Sequence, residues 1–145
     1  MTDEELLEHL VGTWRVTGEV RGNALSQVVR GQRALGDTFV ELRISHGLPL
    51  VDGRPYEAVY YIGVASPGRF VLNLMDVFGA AYSPIPGLGE RDGDDVVFTF
   101  AYSGGPWTWR WHLDGGAWDM TQDFVENGEP QHFATKRMER EVERK

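Results

Sequence analysis

The chain contains no cysteine. That absence removes disulfides, thiolate metal sites, iron–sulfur clusters and cysteine nucleophiles together. Long apolar runs are also missing, and none approaches the roughly 20 residues that a membrane-spanning helix requires. The opening residues MTDEELLEHL are acidic where a secretory signal is basic and then apolar. The expectation is a cytoplasmic protein with no membrane partner. Positive charge is scarce as well: 14 Lys and Arg face 22 Asp and Glu, a net charge of −8. Such a field repels phosphate backbones and sets nucleic acid aside as a partner. Between residues 12 and 140 no stretch carries the pattern of a crossover helix a dozen residues long, so a parallel sheet is not expected.

What remains is ordinary globular composition, 41% hydrophobic and 25% charged, over 145 residues. This length suits one domain, read here as residues 1–145, with one core. Thr2 and Glu5 have the spacing of a capping box, and Leu6, Leu7 and Leu10 form one apolar edge, so residues 3–10 read as a short helix. From Gly12 the period changes to two, with Trp14, Val16 and Val20 on one side and Arg15, Thr17 and Glu19 on the other. Further strand-like runs lie near 26–35, 38–46, 55–65, 69–78, 95–103, 107–113, 117–126 and 131–138. Pro67-Gly68, Gly104-Gly105-Pro106 and Gly115-Gly116 supply hairpin turns. The segment GAAYSPIPGLGERDGDD, residues 79–95, reads as a long loop of the kind that covers a mouth. The terminal KRMEREVERK reads as a solvated or frayed end, with partner binding as the alternative.

The stretch PWTWRWHLDGGAWDM is the most informative. A two-residue turn at Gly115-Gly116 sets Leu113 opposite Trp118, Trp111 opposite Met120, Trp109 opposite Gln122, and Trp107 opposite Phe124. All the indoles of the hairpin then share one face, and His112, Arg110, Asp119 and Asp123 share the wet one, where His112 is expected to pair with Asp119. Burying one indole is worth about 4–6 kcal/mol as an upper bound. Three or four of them rival a domain's whole net stability of about 5–15 kcal/mol. They require a dry interior. One short helix cannot cover nine or ten amphipathic strands, which leaves a sandwich or a closed barrel, and sequential hairpins favour the barrel. The fold class is therefore all-β, an antiparallel up-and-down β-barrel of about ten strands with a short N-terminal helix.

Gly12-Thr13-Trp14 after a short acidic helix resembles the Gly-x-Trp opening strand of lipocalins and their relatives. LVGTWRVTGEVRG, FVELRISHG, the Tyr60-Tyr61 pair, Asp76 followed by Gly79, and a last strand ending in Lys136-Arg137 resemble the bacterial lipocalin-like family known as domain of unknown function 1579. The resemblance implies a calycin-like barrel and a small apolar or amphipathic ligand. A weaker similarity to nitrobindins, haem-binding barrels that also open with Gly-x-Trp, implies His132 as a haem ligand. Here only Gly12, Trp14 and Gly18 agree with the glycine-rich opening of those proteins.

Ligand sites are mostly apolar with a few placed polar groups. The residues meeting that description are Trp14, Tyr60 and Trp109 as walls, His46 and Gln122 as polar contacts, and Arg33 and Asn73 with less certain facing. The competing reading makes each a core or strand-end residue satisfied by its neighbours or by buried water. The histidines His9, His46, His112 and His132 have no metal-ligand spacing, and no Gly-x-Ser-x-Gly elbow or phosphate loop occurs, so no metal, catalytic residue or cofactor is expected apart from the haem alternative. The leading expectation is a small-molecule-binding barrel. The alternatives are a haem protein using His132, an isomerase- or hydrolase-like enzyme using His46 with a carboxylate, and a structural or assembly protein that associates, as a homodimer for example, through a sheet edge or the 79–95 loop.

Overall fold

A computed structural model describes residues 1–141; the last four residues of the KRMEREVERK run lie outside it. The N-terminus forms helix α1 (Asp3–Glu8), closed by the expected capping box: the Thr2 hydroxyl accepts from the Glu5 amide at 3.1 Å, and the Glu5 carboxylate accepts from the Thr2 amide at 3.3 Å. Six helical residues are marginal alone, so burial of Leu6 and Leu7 holds them in place. Ten strands follow: β1 (Gly12–Val20), β2 (Asn23–Ala34), β3 (Phe39–Val51), β4 (Arg54–Ser66), β5 (Arg69–Asp76), β6 (Gly87–Asp92), β7 (Asp95–Phe100), β8 (Trp107–Asp114), β9 (Ala117–Glu126) and β10 (Glu129–Arg140).

Every strand pairs antiparallel with its chain neighbours, and β1 pairs with β10, so the sheet closes into an up-and-down barrel. Closure satisfies the ladder groups that an open sheet would leave bare. It also removes the sheet edge, one of the two surfaces named for the assembly reading. The register at the tryptophan hairpin is the expected one, Trp107, Trp109, Trp111 and Leu113 facing Phe124, Gln122, Met120 and Trp118. Trp109, Trp111 and Trp118 are buried, and Trp107 is half-buried at the far end of its strand. On the wet face His112 stands across from Asp119 but bonds to Asp95 of β7 instead, as does Arg110.

Two parts of the sequence reading are corrected. The 79–95 loop contains a strand, β6, and only residues 77–86 form the connection. Its inward positions are Gly87 and Gly89, where an added Cβ would sit 2.6 Å from the Phe100 ring and 2.8 Å from the Phe98 ring. The phenylalanines of β7 occupy the volume that side chains of β6 would otherwise fill. The charged terminus is the second correction: β10 runs on to Arg140, with Ala134, Lys136 and Met138 turned into the barrel.

Candidate ligand-binding site

One end of the barrel is shut by α1. The Trp14 indole N–H donates to the Leu10 carbonyl at 2.9 Å, and that of Trp118 donates to the His9 carbonyl at 3.0 Å. Arg33 of β2 donates through Nε to Glu8 and through Nη1 to Glu4, both at 2.9 Å. Asp3 accepts from the Gly68 amide at 2.8 Å and from Arg91 at 2.9 Å. These contacts hold the Asp3 carboxyl below its ordinary range, the backbone bond from Gly68 contributing most. The Arg140 guanidinium stacks 4.3 Å from the Trp14 ring. Four strands and a turn are thus tied to α1 and the two residues after it, which cover this end.

Halfway along the barrel lies a cavity of about 20 Å³, room for one water molecule. Its polar lining is Gln27, Tyr60, Gln122 and Lys136, set among Val16, Ile44, Trp111, Met120 and Met138. Lys136 is only 8% exposed. Burial alone pulls its amine down to about 8, and no neighbouring charge or hydrogen bond offsets the effect. Beside this group, cross-strand from Gln122, is Trp109, whose buried indole N–H has no acceptor among the described residues. Buried donors are ordinarily paired, and an orphan one requires an explanation.

From the cavity an unbroken series of aromatic rings leads to the end opposite α1. Tyr60 lies 5.5 Å from Trp109, Trp109 4.6 Å from Phe100, Phe100 5.6 Å from Tyr102, and Tyr102 5.4 Å from Tyr82, which is exposed. Asp76 stands at the same end, accepting from the Tyr56 hydroxyl at 2.9 Å and from the Phe78 amide at 3.0 Å. Burial raises the Tyr60 hydroxyl far above its usual range, with the charge of Asp76 adding to it, and the same two causes push Tyr102 up to about 12. Both phenols therefore stay neutral donors at physiological pH. Around this end the β3–β4 hairpin exposes Leu48 and Leu50, and the 77–86 connection exposes Val77, Phe78 and Tyr82.

Three of the seven residues picked from the sequence meet here: Tyr60, Trp109 and Gln122. Trp14 is buried at the sealed end, where it anchors the helix. Arg33 keeps the inward phase of β2, opposite Val40, but lies at the sealed end, where it pairs with Glu4 and Glu8 of α1 instead of reaching the cavity. Asn73 is exposed on the outer face, since Leu72 and Leu74 take the inward positions of β5. His46 is exposed too, because a bulge between Ile44 and Gly47 breaks the alternation, and its side-chain partner is Ser45 at 2.9 Å. The acid–base pair imagined for His46 is not formed.

His132 lies on the outer wall, its ring nitrogens taken by Glu19 at 2.6 Å and Asp123 at 2.8 Å. The bond to Glu19, then that to Asp123, raises its pKa. A haem ligand must point a free nitrogen inward, and no histidine lines the cavity. These residues do not fit haem. Gln27, Lys136 and the Tyr56–Asp76 pair escaped the sequence reading. For Gln27 and Lys136 the signal was present, as each lies two residues from buried apolar neighbours, Leu25 and Val29 for one, Ala134 and Met138 for the other.

No protein-family profile matches the chain, and no curated protein matches it, so the family resemblance rests on the residues quoted above. Solved structures do share the fold. The crystal structure of Rv2717c from M. tuberculosis is similar at 17% identity, covering 95% of this chain and 96% of that one, with a TM-score of 0.68. The S-type phycobiliprotein lyase CPES from Guillardia theta is similar at 12% identity, covering 99% and 95%, with a TM-score of 0.65. At these identities the likeness concerns the barrel alone.

Proposed function

We propose that the protein is a binding barrel for a small amphipathic molecule, admitted at the end opposite α1 and seated with its polar head beside Gln122 and its apolar body along the aromatic series. The observation that carries this reading is the orphan N–H of Trp109, a buried donor held next to a cluster of polar side chains in an otherwise apolar interior. A barrel of this shape in a phycobiliprotein lyase is in keeping with a ligand-handling role, without carrying that protein's substrate over.

The cavity is too small for such a molecule as it stands, so binding requires side chains to move. Met120 and Met138 line it, and unbranched thioethers repack at low cost. The test is native mass spectrometry of the purified protein, followed by melting with a panel of amphipathic molecules. A ligand at 100 times its Kd stabilises by about 2.7 kcal/mol, a rise on the order of 5–10 °C in Tm for a chain of this size. The rise should shrink in Trp109→Phe, which keeps an aromatic ring and loses the donor. A mass free of any adduct, together with an unmoved Tm across the panel, overturns the reading.

A further inference from the structure

Lys136 is the one charged residue on the cavity wall. Each of the other lysine and arginine positions discussed above has a carboxylate or an aromatic ring to face, whereas this ammonium has neither. A buried cation without a counter-ion is costly, and a chain with 22 acidic residues could have supplied one from any of the facing strands. The outward neighbour Arg137 shows the contrast, with Asp119 at 2.8 Å and Asp114 at 3.3 Å. Inside, what surrounds Lys136 is neutral and able to donate: the amides of Gln27 and Gln122, the phenol of Tyr60, and close by the unpaired N–H of Trp109. A positive charge among neutral groups that can turn a donor toward a guest, with no acid on the wall, is complementary to an anion.

Resting on the reading of the protein as an amphipathic-ligand barrel, we propose that the ligand is a monocarboxylate with an apolar chain, its carboxylate against Lys136 between Gln27 and Gln122 and its chain directed past Trp109 toward Tyr102. A single ammonium balances a single negative charge, and a carboxylate is the smallest organic head that supplies two acceptor oxygens, which suits a cavity needing the least expansion. A doubly charged phosphate would leave one charge buried and uncompensated.

This pairing makes binding depend on pH. In the free protein the Lys136 amine titrates at about 8, and a bound carboxylate draws it back up. Tyr60 is the other titratable group on the cavity wall, and it stays neutral over this range. Asp76 lies further out, bonded to Tyr56 at the mouth. Below pH 8 the amine is already charged and affinity is level. Above it each pH unit costs about tenfold, because binding must first take up a proton.

Isothermal titration with octanoate, 1-octanol and octylammonium holds the chain constant and varies the head, in the natural protein, Lys136→Met and Lys136→Arg at pH 7 and pH 9. The expected result is octanoate at least about tenfold tighter than octanol at pH 7, with octylammonium weakest. Octanoate affinity should fall about tenfold at pH 9, where close to one proton is taken up per molecule bound. Lys136→Met should lose the preference for octanoate, and Lys136→Arg should keep it without the pH dependence, its guanidinium being charged throughout. Octanol or octylammonium binding as well as octanoate, or a preference that survives in Lys136→Met, overturns the carboxylate proposal while leaving the binding barrel standing. Failure of all three heads to bind or to move the Tm overturns both.

Discussion

Replacing Lys136 by methionine is expected to stabilise the barrel at pH 7 by about 3 kcal/mol, the free-energy equivalent of an amine drawn from 10.5 to about 8 by burial. Methionine occupies a similar volume and has no charge to desolvate. The sign follows from proton counting. The folded pKa is depressed, so between about pH 8 and pH 10.5 the unfolded chain binds more protons than the folded one, and the natural protein gains stability as pH rises through that window. Below pH 8 both states carry the charge and the full penalty is present. Above 10.5 both amines are neutral and the penalty is gone. Urea denaturation of the two proteins side by side should therefore show a constant gap up to about pH 8 that closes by about pH 10.5, groups common to both cancelling in the difference. Equal stabilities at pH 7 would mean that the Lys136 ammonium reaches water. A protein that keeps a residue costing this much in its core is expected to use it, and the use argued here is recognition of an anion.

The second large effect concerns Trp14. Trp14→Ala should cost about 3–5 kcal/mol, since it empties a fully buried site and leaves the Leu10 carbonyl without the indole donor 2.9 Å away. Against a typical stability of about 5–15 kcal/mol this brings the fold near its threshold at 37 °C. Trp14→Phe, which preserves most of the packing and removes the donor, should lose about 1–2 kcal/mol. Ligand affinity separates this role from the one the sequence suggested. A helix anchor at the sealed end leaves affinity in Trp14→Phe within about twofold of the natural protein, whereas a wall of the binding site would lose considerably more.

How far the sequence disclosed this architecture depended on whether a residue's neighbours followed a plain period of two. The tryptophan hairpin was readable to the single residue because Gly115-Gly116 sets a two-residue turn and the alternation on both sides is unbroken. Strand β6 was invisible because its inward positions are glycines, so the apolar half of the pattern belongs to Phe98 and Phe100 on the next strand. His46 was misplaced by a bulge, which no count of two can anticipate. Asn73 was read without a certain facing, and burial in β5 favours its neighbours Leu72 and Leu74, while Arg33 holds an inward position of β2 but at the end that α1 covers. Lys136 was hidden by composition: within KRMEREVERK the charges outweigh Met138, so the run read at 131–138 was overlaid by a solvated or frayed end where the strand in fact continues to Arg140. The interior polar cluster was thus half legible, through Tyr60, Trp109 and Gln122, and the residue that gives it a charge was not.

The most direct measurement uses the four methionines. Met120 and Met138 line the cavity, while Met1 and Met75 are exposed on the outside, so ¹³C-methyl labelling places two reporters at the proposed site and two controls away from it. As octanoate and then 1-octanol are titrated in, the Met120 and Met138 methyl signals are expected to shift together and saturate, with intermolecular NOEs to the ligand chain, while Met1 and Met75 stay in place. Shifts confined to Met75, or a saturating ligand that leaves the two interior methyls unmoved, would contradict a binding site inside the barrel.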